Sequence, residues 1–162
     1  MVAGLTVRVY TGSGAGTQSA AVTGIDLISA DNATNTLPNR QANPITVGTR
    51  SYEKWIKLYL DTAPANGVTN FLIWGDGAIS TSTTLYFTGA YVTGVTPTAV
   101  TSTVANASFT TYTSSNKATW DAASYTATGS VTKYAVFQLA VNADANPGNW
   151  GQETISYSYD ET

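Results

Sequence analysis

Alternation of apolar and polar residues with a period of two dominates this chain, the pattern of strands that bury one face. Leu5, Val7 and Val9 alternate with Thr6, Arg8 and Tyr10. Ala20–Ile28 is a less regular run of the same kind. In Tyr52–Leu60, Ile56, Leu58 and Leu60 alternate with Trp55, Lys57 and Tyr59. A short helix competes there, but the aromatic content and Pro64 favour a strand. Val68–Trp74 is almost continuously apolar, which predicts a central strand. Thr83–Val92, Val131–Asn142 and Thr154–Tyr159 alternate again, with Gly89 marking a bulge inside the first.

Turn residues punctuate these runs about every ten residues, the spacing of an all-β sandwich or barrel. Gly12-Ser13-Gly14-Ala15-Gly16 has the composition of a flexible linker. Asp31–Arg50 carries Pro38 and Pro44 among Asn and Thr and reads as a long surface loop. Pro64-Ala65-Asn66-Gly67 predicts a tight reversal, making Tyr52–Gly77 two adjacent antiparallel strands. The Thr-, Ser- and Ala-rich stretch Thr93–Thr128 predicts one or two short strands and loops, with a helix as the competing reading near Ala118–Ala123. The final strands, joined through Asp144–Gly151, read as a closing hairpin. No repeat of 20–50 residues is present, so a solenoid is not expected. The expectation is an all-β fold: a two-sheet antiparallel β-sandwich of eight or nine strands, jelly-roll or Ig-like. Residues 17–162 form the single domain, preceded by residues 1–16 as an N-terminal strand or arm and its linker.

Composition narrows the function. The 162 residues include 7 Lys+Arg and 10 Asp+Glu, with 28 Thr and 14 Ser. Charged residues make up 10%, against roughly 25% in ordinary soluble proteins. On a surface of roughly 7,700 Å² that leaves about one charge per 450 Å². Neither His nor Cys occurs, which removes His-based triads and proton shuttles, Cys nucleophiles, zinc fingers and disulfides. A net charge of −3 without a basic run argues against nucleic-acid binding. No apolar run approaches the roughly 18 residues of a spanning helix, so no membrane partner is expected. Met1–Gly16 lacks a basic n-region and apolar core, so the protein is expected to be made in the cytoplasm without a Sec signal.

Five features hold candidate chemistry. Asn142, Asp144 and Asn146 occupy positions 1, 3 and 5 of a calcium-loop spacing, with Glu153 at position 12. Pro147 at the glycine position, Asn at position 1 and flanking strands depart from that loop, and an Asx-rich turn is the simpler explanation. Gly75-Asp76-Gly77 lacks the Lys-Ser/Thr and helix of a phosphate loop and reads as a turn. The ten acids show no spacing that selects a catalytic pair, so no enzyme, cofactor or metal is expected. Trp55, Trp74, Trp120 and Trp150 offer a sugar-stacking platform, although Trp74 lies in an apolar run and reads as core. Leu5, Val7 and Val9 either belong to the first strand of the sandwich or to an arm that adds to a neighbour's sheet edge, as assembly contacts.

Two segments carry a resemblance. Ser51-Tyr-Glu-Lys-Trp-Ile-Lys-Leu58 with Val68-Thr-Asn-Phe-Leu-Ile-Trp-Gly-Asp-Gly77, and Tyr134–Leu139 through Pro147-Gly148 to Ile155–Glu161, resemble virion structural proteins of tailed bacteriophages. The resemblance covers roughly residues 50–92 and 131–161, and its motifs are structural. It implies a capsid decoration (cement) protein on the virion surface, with the major capsid protein and copies of itself, as a homo-oligomer such as a trimer, for partners. The alternatives are a carbohydrate-binding or adhesin module with a glycan partner, and a tail or head-fibre subunit.

Overall fold

The computed structural model describes residues 2–129, 131–146, 148 and 152–162. In chain order the elements are β1 (Gly4–Thr11), β2 (Thr17–Val22), α1 (Leu37–Ala42), β3 (Lys54–Thr62), β4 (Val68–Gly75), β5 (Thr83–Tyr91), β6 (Ala107–Ser108), β7 (Ala118–Asp121), β8 (Tyr134–Val141) and β9 (Ile155–Glu161). Six strands form one antiparallel sheet in the order β2-β1-β3-β8-β5-β6, and three form a second in the order β7-β4-β9. This is the two-sheet all-β architecture that the alternating runs predict.

The period-two pattern explains which side chains meet between the sheets. Leu5, Val7 and Val9 of β1 stand opposite Leu60, Leu58 and Ile56 of β3. Leu85 and Phe87 of β5 stand opposite Leu139 and Phe137 of β8. Val68, Phe71, Ile73 and Trp120 of the smaller sheet join them in one apolar core. Phe87, Phe109 and Phe137 are its aromatic centre, each ring centroid 5.1 Å from the next. Such pairs add about 0.5–1.5 kcal/mol each beyond the area they bury. Val68 and Phe71 are three residues apart yet both point inward. Asn70, at φ 54°, takes up the extra residue where the β4–β9 register shifts between Thr69 and Leu72. Gly89 also lies in a bulge, with the β5–β8 register shifting between Thr88 and Tyr91.

The outer face of the six-stranded sheet is covered as well. Tyr10, Trp55, Tyr134 and Val136 emerge there and form a second apolar cluster with Val104, Ala105 and Ala15. The 92–106 segment therefore crosses the sheet as a lid of backbone and small side chains. β8 is consequently buried along nearly its whole length, rather than presenting one polar face.

Several sequence expectations are corrected. The Pro64–Gly67 turn joins no hairpin, because β3 and β4 belong to different sheets. Nor do β8 and β9 pair: β8 lies between β3 and β5, and β9 pairs with β4. Alternation identifies a strand's faces but is silent about its neighbours. Gly12–Gly16 is a tight turn rather than a flexible linker. Ala15 N–H donates to the Gly12 carbonyl at 3.0 Å, Gly12 N–H donates to Asp31 Oδ2 at 2.8 Å, and Ala15 is buried. Positive φ at Gly12 and Gly14 makes that reversal accessible. The second strand is Thr17–Val22, ahead of the expected Ala20–Ile28. Ala118–Asp121 is one of the short strands expected within Thr93–Thr128, the competing helix being displaced by pairing with β4. The 31–50 loop contains α1, capped where Thr36 Oγ1 accepts from Asn39 N–H at 3.4 Å and started by Pro38.

Candidate functional site

β1 lies between β2 and β3, hydrogen-bonded along both edges. From Val7 to Tyr10 its backbone is committed to this chain's own sheet on both sides, while Gly4, Leu5 and Thr6 register with β3 alone. Val9 is buried, and Leu5 and Val7 pack half-buried against the core.

The calcium-spaced residues are used differently. Asn142, Asp144 and Asn146 sit in the turn after β8, where Ala145 N–H donates to the Asn142 carbonyl at 3.2 Å. Glu153 instead clamps the β4–β5 loop: Oε1 accepts from Gly77 N–H and Oε2 from Ile79 N–H, both at 2.9 Å. Asp76 Oδ1 accepts from Ala78 N–H at 3.1 Å and Thr154 N–H at 3.2 Å. Hydrogen bonding, first from Thr154 and then from the Ala78 backbone, holds its carboxyl below the usual carboxylate range. Among the described residues no group of three or more acidic side chains is placed to hold a metal ion. Pro147, Asn149, Trp150 and Gly151 lie outside the described residues.

The tryptophans exchange the roles expected of them. Trp55 is fully buried, its indole Nε1–H donating to Glu53 Oε2 at 2.9 Å, with Tyr91 and Tyr134 packed edge-on against it. Trp120 is buried with Nε1–H on the Lys133 carbonyl. Trp74, expected in the core, is only half-buried, and Lys117 Nζ stands 4.4 Å from its ring centre. The bulge at Asn70 resets the facing of β4, so Phe71 and Ile73 point inward and Trp74 outward.

Three buried polar groups that the sequence reading passed over fix the loops. Gln138 Nε2 donates to the carbonyls of Ser51, Thr98 and Val100 at 3.1, 3.2 and 2.7 Å. Its Oε1 accepts from Ser102 N–H at 3.0 Å. Asp121 accepts from Ala123 N–H, Tyr125 Oη–H and Lys133 N–H at 2.9, 2.7 and 2.8 Å. Burial alone would raise its carboxyl pKa, but those donors and the Lys133 charge outweigh it and hold the group low. Burial, and then the same bond, raises the Tyr125 hydroxyl. Lys54, 1% exposed, donates from Nζ to the carbonyls of Ala30 and Asn32 at 3.0 and 2.6 Å. Burial pulls its ammonium down to about 8, against a partial lift from Asp31 and Asp26. The only warning of these groups in the sequence is a lone polar residue inside an apolar strand.

Outward the 92–106 lid presents valines interspersed with threonines, Thr93, Thr96, Thr101 and Thr103, and no charged side chain. Val92, Val95 and Val100 are 71%, 42% and 70% exposed, and they supply three of the five large apolar side chains exposed among the described residues. Gln138 and Ser102 anchor this segment from below: Ser102 Oγ accepts from Val104 and Ala105 N–H at 3.0 and 2.7 Å. The lid is therefore held in place from Thr98 to Ala105. Comparison of the chain with protein-family models, with curated proteins and with solved structures finds no match.

Proposed function

We propose that this chain is a non-enzymatic virion structural protein, a capsid decoration (cement) protein of a tailed bacteriophage. It would bind and bridge major capsid subunits on the capsid surface and associate with copies of itself. The observation that supports the reading is the uncharged outer surface of residues 92–100, where Val92, Val95 and Val100 are exposed among threonines, so a protein partner could cover it without desolvating a charge. Repetition across a lattice would multiply such modest contacts into avidity, and binding only the assembled shell would stabilise that shell. Glu53 and Asp121 are occupied by structural hydrogen bonds, which supports a role without chemistry for those two acids.

The test is co-sedimentation with capsids of the cognate phage. The wild-type protein is expected to bind at near-stoichiometric copy number and to raise the disruption temperature of the shell. Val95→Asp with Val100→Asp should weaken binding at least tenfold while leaving far-UV circular dichroism unchanged. Binding that is absent, or indifferent to both substitutions, removes this reading. A glycan-binding module is the second reading, favoured by the outward, half-buried Trp74. Glycan binding by the isolated protein, lost in Trp74→Ala, would put it first.

A further inference from the structure

The reversal between β3 and β4 turns on a glycine that the fold requires. Gly67 has φ 117°, a conformation that residues with a side chain rarely adopt. A Cβ there would stand 3.0 Å from Thr126 Cγ2 and 3.1 Å from the Tyr125 carbonyl oxygen. Immediately after it, Val68 and Tyr125 exchange two N–H···O bonds of 2.9 Å, which hold the start of β4 in place. The residue ahead of this glycine is Asn66, and Asn66-Gly67 is the only Asn-Gly pair in the chain.

Asn66 is exposed, and its side-chain amide makes no hydrogen bond among the described residues. Other asparagines are tied down. Asn32 and Asn39 bond each other at 3.2 and 3.1 Å, and Asn43 Nδ2 donates to the Asn39 carbonyl at 3.0 Å. Asn70 Nδ2 donates to Asp160 Oδ2 at 2.8 Å and Asn116 Nδ2 to the Thr111 carbonyl at 2.9 Å. Each of these five is followed by a residue with a Cβ: Ala33, Arg40, Pro44, Phe71 and Lys117. The Gly67 N–H likewise has no acceptor among the described residues. An uncommitted amide thus stands next to an uncommitted backbone nitrogen, with no Cβ to shield the approach of one to the other.

We infer that Asn66 is a site of spontaneous deamidation, and that the reaction loosens the end of β9. The Gly67 nitrogen loses its proton to solvent and attacks Asn66 Cγ; the Cγ–Nδ2 bond breaks and ammonia leaves. Water then opens the resulting succinimide ring. Opening at Cγ gives an aspartate. Opening at the main-chain carbonyl gives an isoaspartate, whose chain runs through Cβ and Cγ. Either product adds one carboxylate and takes the formal net charge from −3 to −4. The altered turn is also a latch. The Gly67 carbonyl accepts from Thr162 N–H at 3.1 Å and the Asn66 carbonyl from Thr162 Oγ1 at 3.2 Å, next to the Val68–Glu161 pair that joins β4 to β9. Isoaspartate formation turns that Asn66 carbonyl into a free carboxylate, lengthens the turn by one backbone atom and sets a negative charge beside the acidic Asp160-Glu161 end of β9. The inference is independent of the capsid reading, which rests on the 92–106 lid.

Storing the purified full chain, folded, in mildly alkaline buffer and sampling it over time tests this. Peptide mapping by mass spectrometry should show the one-unit mass gain of amide to acid at Asn66, at least tenfold faster than at any other asparagine. Isoaspartyl methyltransferase, which moves a methyl group from S-adenosylmethionine to the isoaspartyl carboxylate, should label the same peptide. Mildly acidic storage should slow the conversion, because the attacking nitrogen must lose its proton. In the aged protein Tm should fall and hydrogen exchange at Thr162 N–H should quicken at least tenfold. Asn66→Gln, whose longer side chain would have to close a six-membered ring, should gain no label and keep its Tm through the same storage. Fresh against aged wild-type protein decides the question even if that variant does not fold. Conversion at Asn66 no faster than at the other asparagines overturns the site. Conversion there with Tm and Thr162 exchange unchanged overturns its effect on β9.

Discussion

Lys54 shows how burial turns one side chain into a pH-dependent element of stability. Its ammonium ionises near 8 in the folded protein rather than at 10.5. Between those values the unfolded chain holds a proton that the folded chain has released, so stability rises with pH. The burial penalty is fully present below about 8 and is gone above 10.5. Tyr125 and Tyr157 act in the opposite sense, because burial raises both hydroxyls above 10.0 and the unfolded chain loses those protons first. Urea melts at about pH 7, 9 and 11 should therefore show a maximum near the middle value. The rise amounts to at most about 3 kcal/mol, because each tenfold change in proton affinity is worth about 1.36 kcal/mol. In Lys54→Met the rise should shrink to the part that Lys57 supplies, since burial lowers that ammonium as well, and the alkaline fall should remain. In the sequence Lys54 stands in phase with Ile56, Leu58 and Leu60 at the start of its strand, but nothing there shows the Ala30 and Asn32 carbonyls that receive its ammonium.

At the level of elements, β1 and the 92–106 lid decide the most. β1 is hydrogen-bonded on both edges and contributes Leu5, Val7 and Val9 to the inner face. Deleting residues 1–16 should thus expose the edge of β3 and remove part of both cores. The expected outcome is an unfolded or aggregating protein by circular dichroism and size exclusion; a folded truncation would show β1 to be dispensable. The strand itself was legible from its alternation. Its position between two partners was not, because ladder hydrogen bonds join backbones and carry no side-chain signature. The lid was the least readable stretch for a related reason. Its order comes from Gln138 and Ser102, which reach its backbone from residues distant or unremarkable in sequence. Trp55 and Trp74 follow from the same cause, one covered by the lid and the other turned outward by the bulge at Asn70.

For the whole molecule, the approach of the sheets is set where β5 meets β7. A Cβ at Gly89 would run into the Thr119 carbonyl oxygen and crowd Phe87 and Trp120. Gly89→Ala should force the sheets apart at that edge and cost about 2–4 kcal/mol in denaturant melts. A cost below about 0.5 kcal/mol would show that the edge relaxes freely. The two sheets diverge elsewhere and leave a space of about 1440 Å³, so close contact at one edge and a cavity beyond it belong to the same architecture. The sequence alone determined the fold class, the strand positions within a few residues, and the scarcity of charge. Those follow from local alternation and composition, which act along the chain. The division of strands between sheets, the interior place of β1 and the second core under the lid were decided by tertiary structure alone. Each depends on which distant segments meet, and period-two alternation is satisfied equally well by many such pairings.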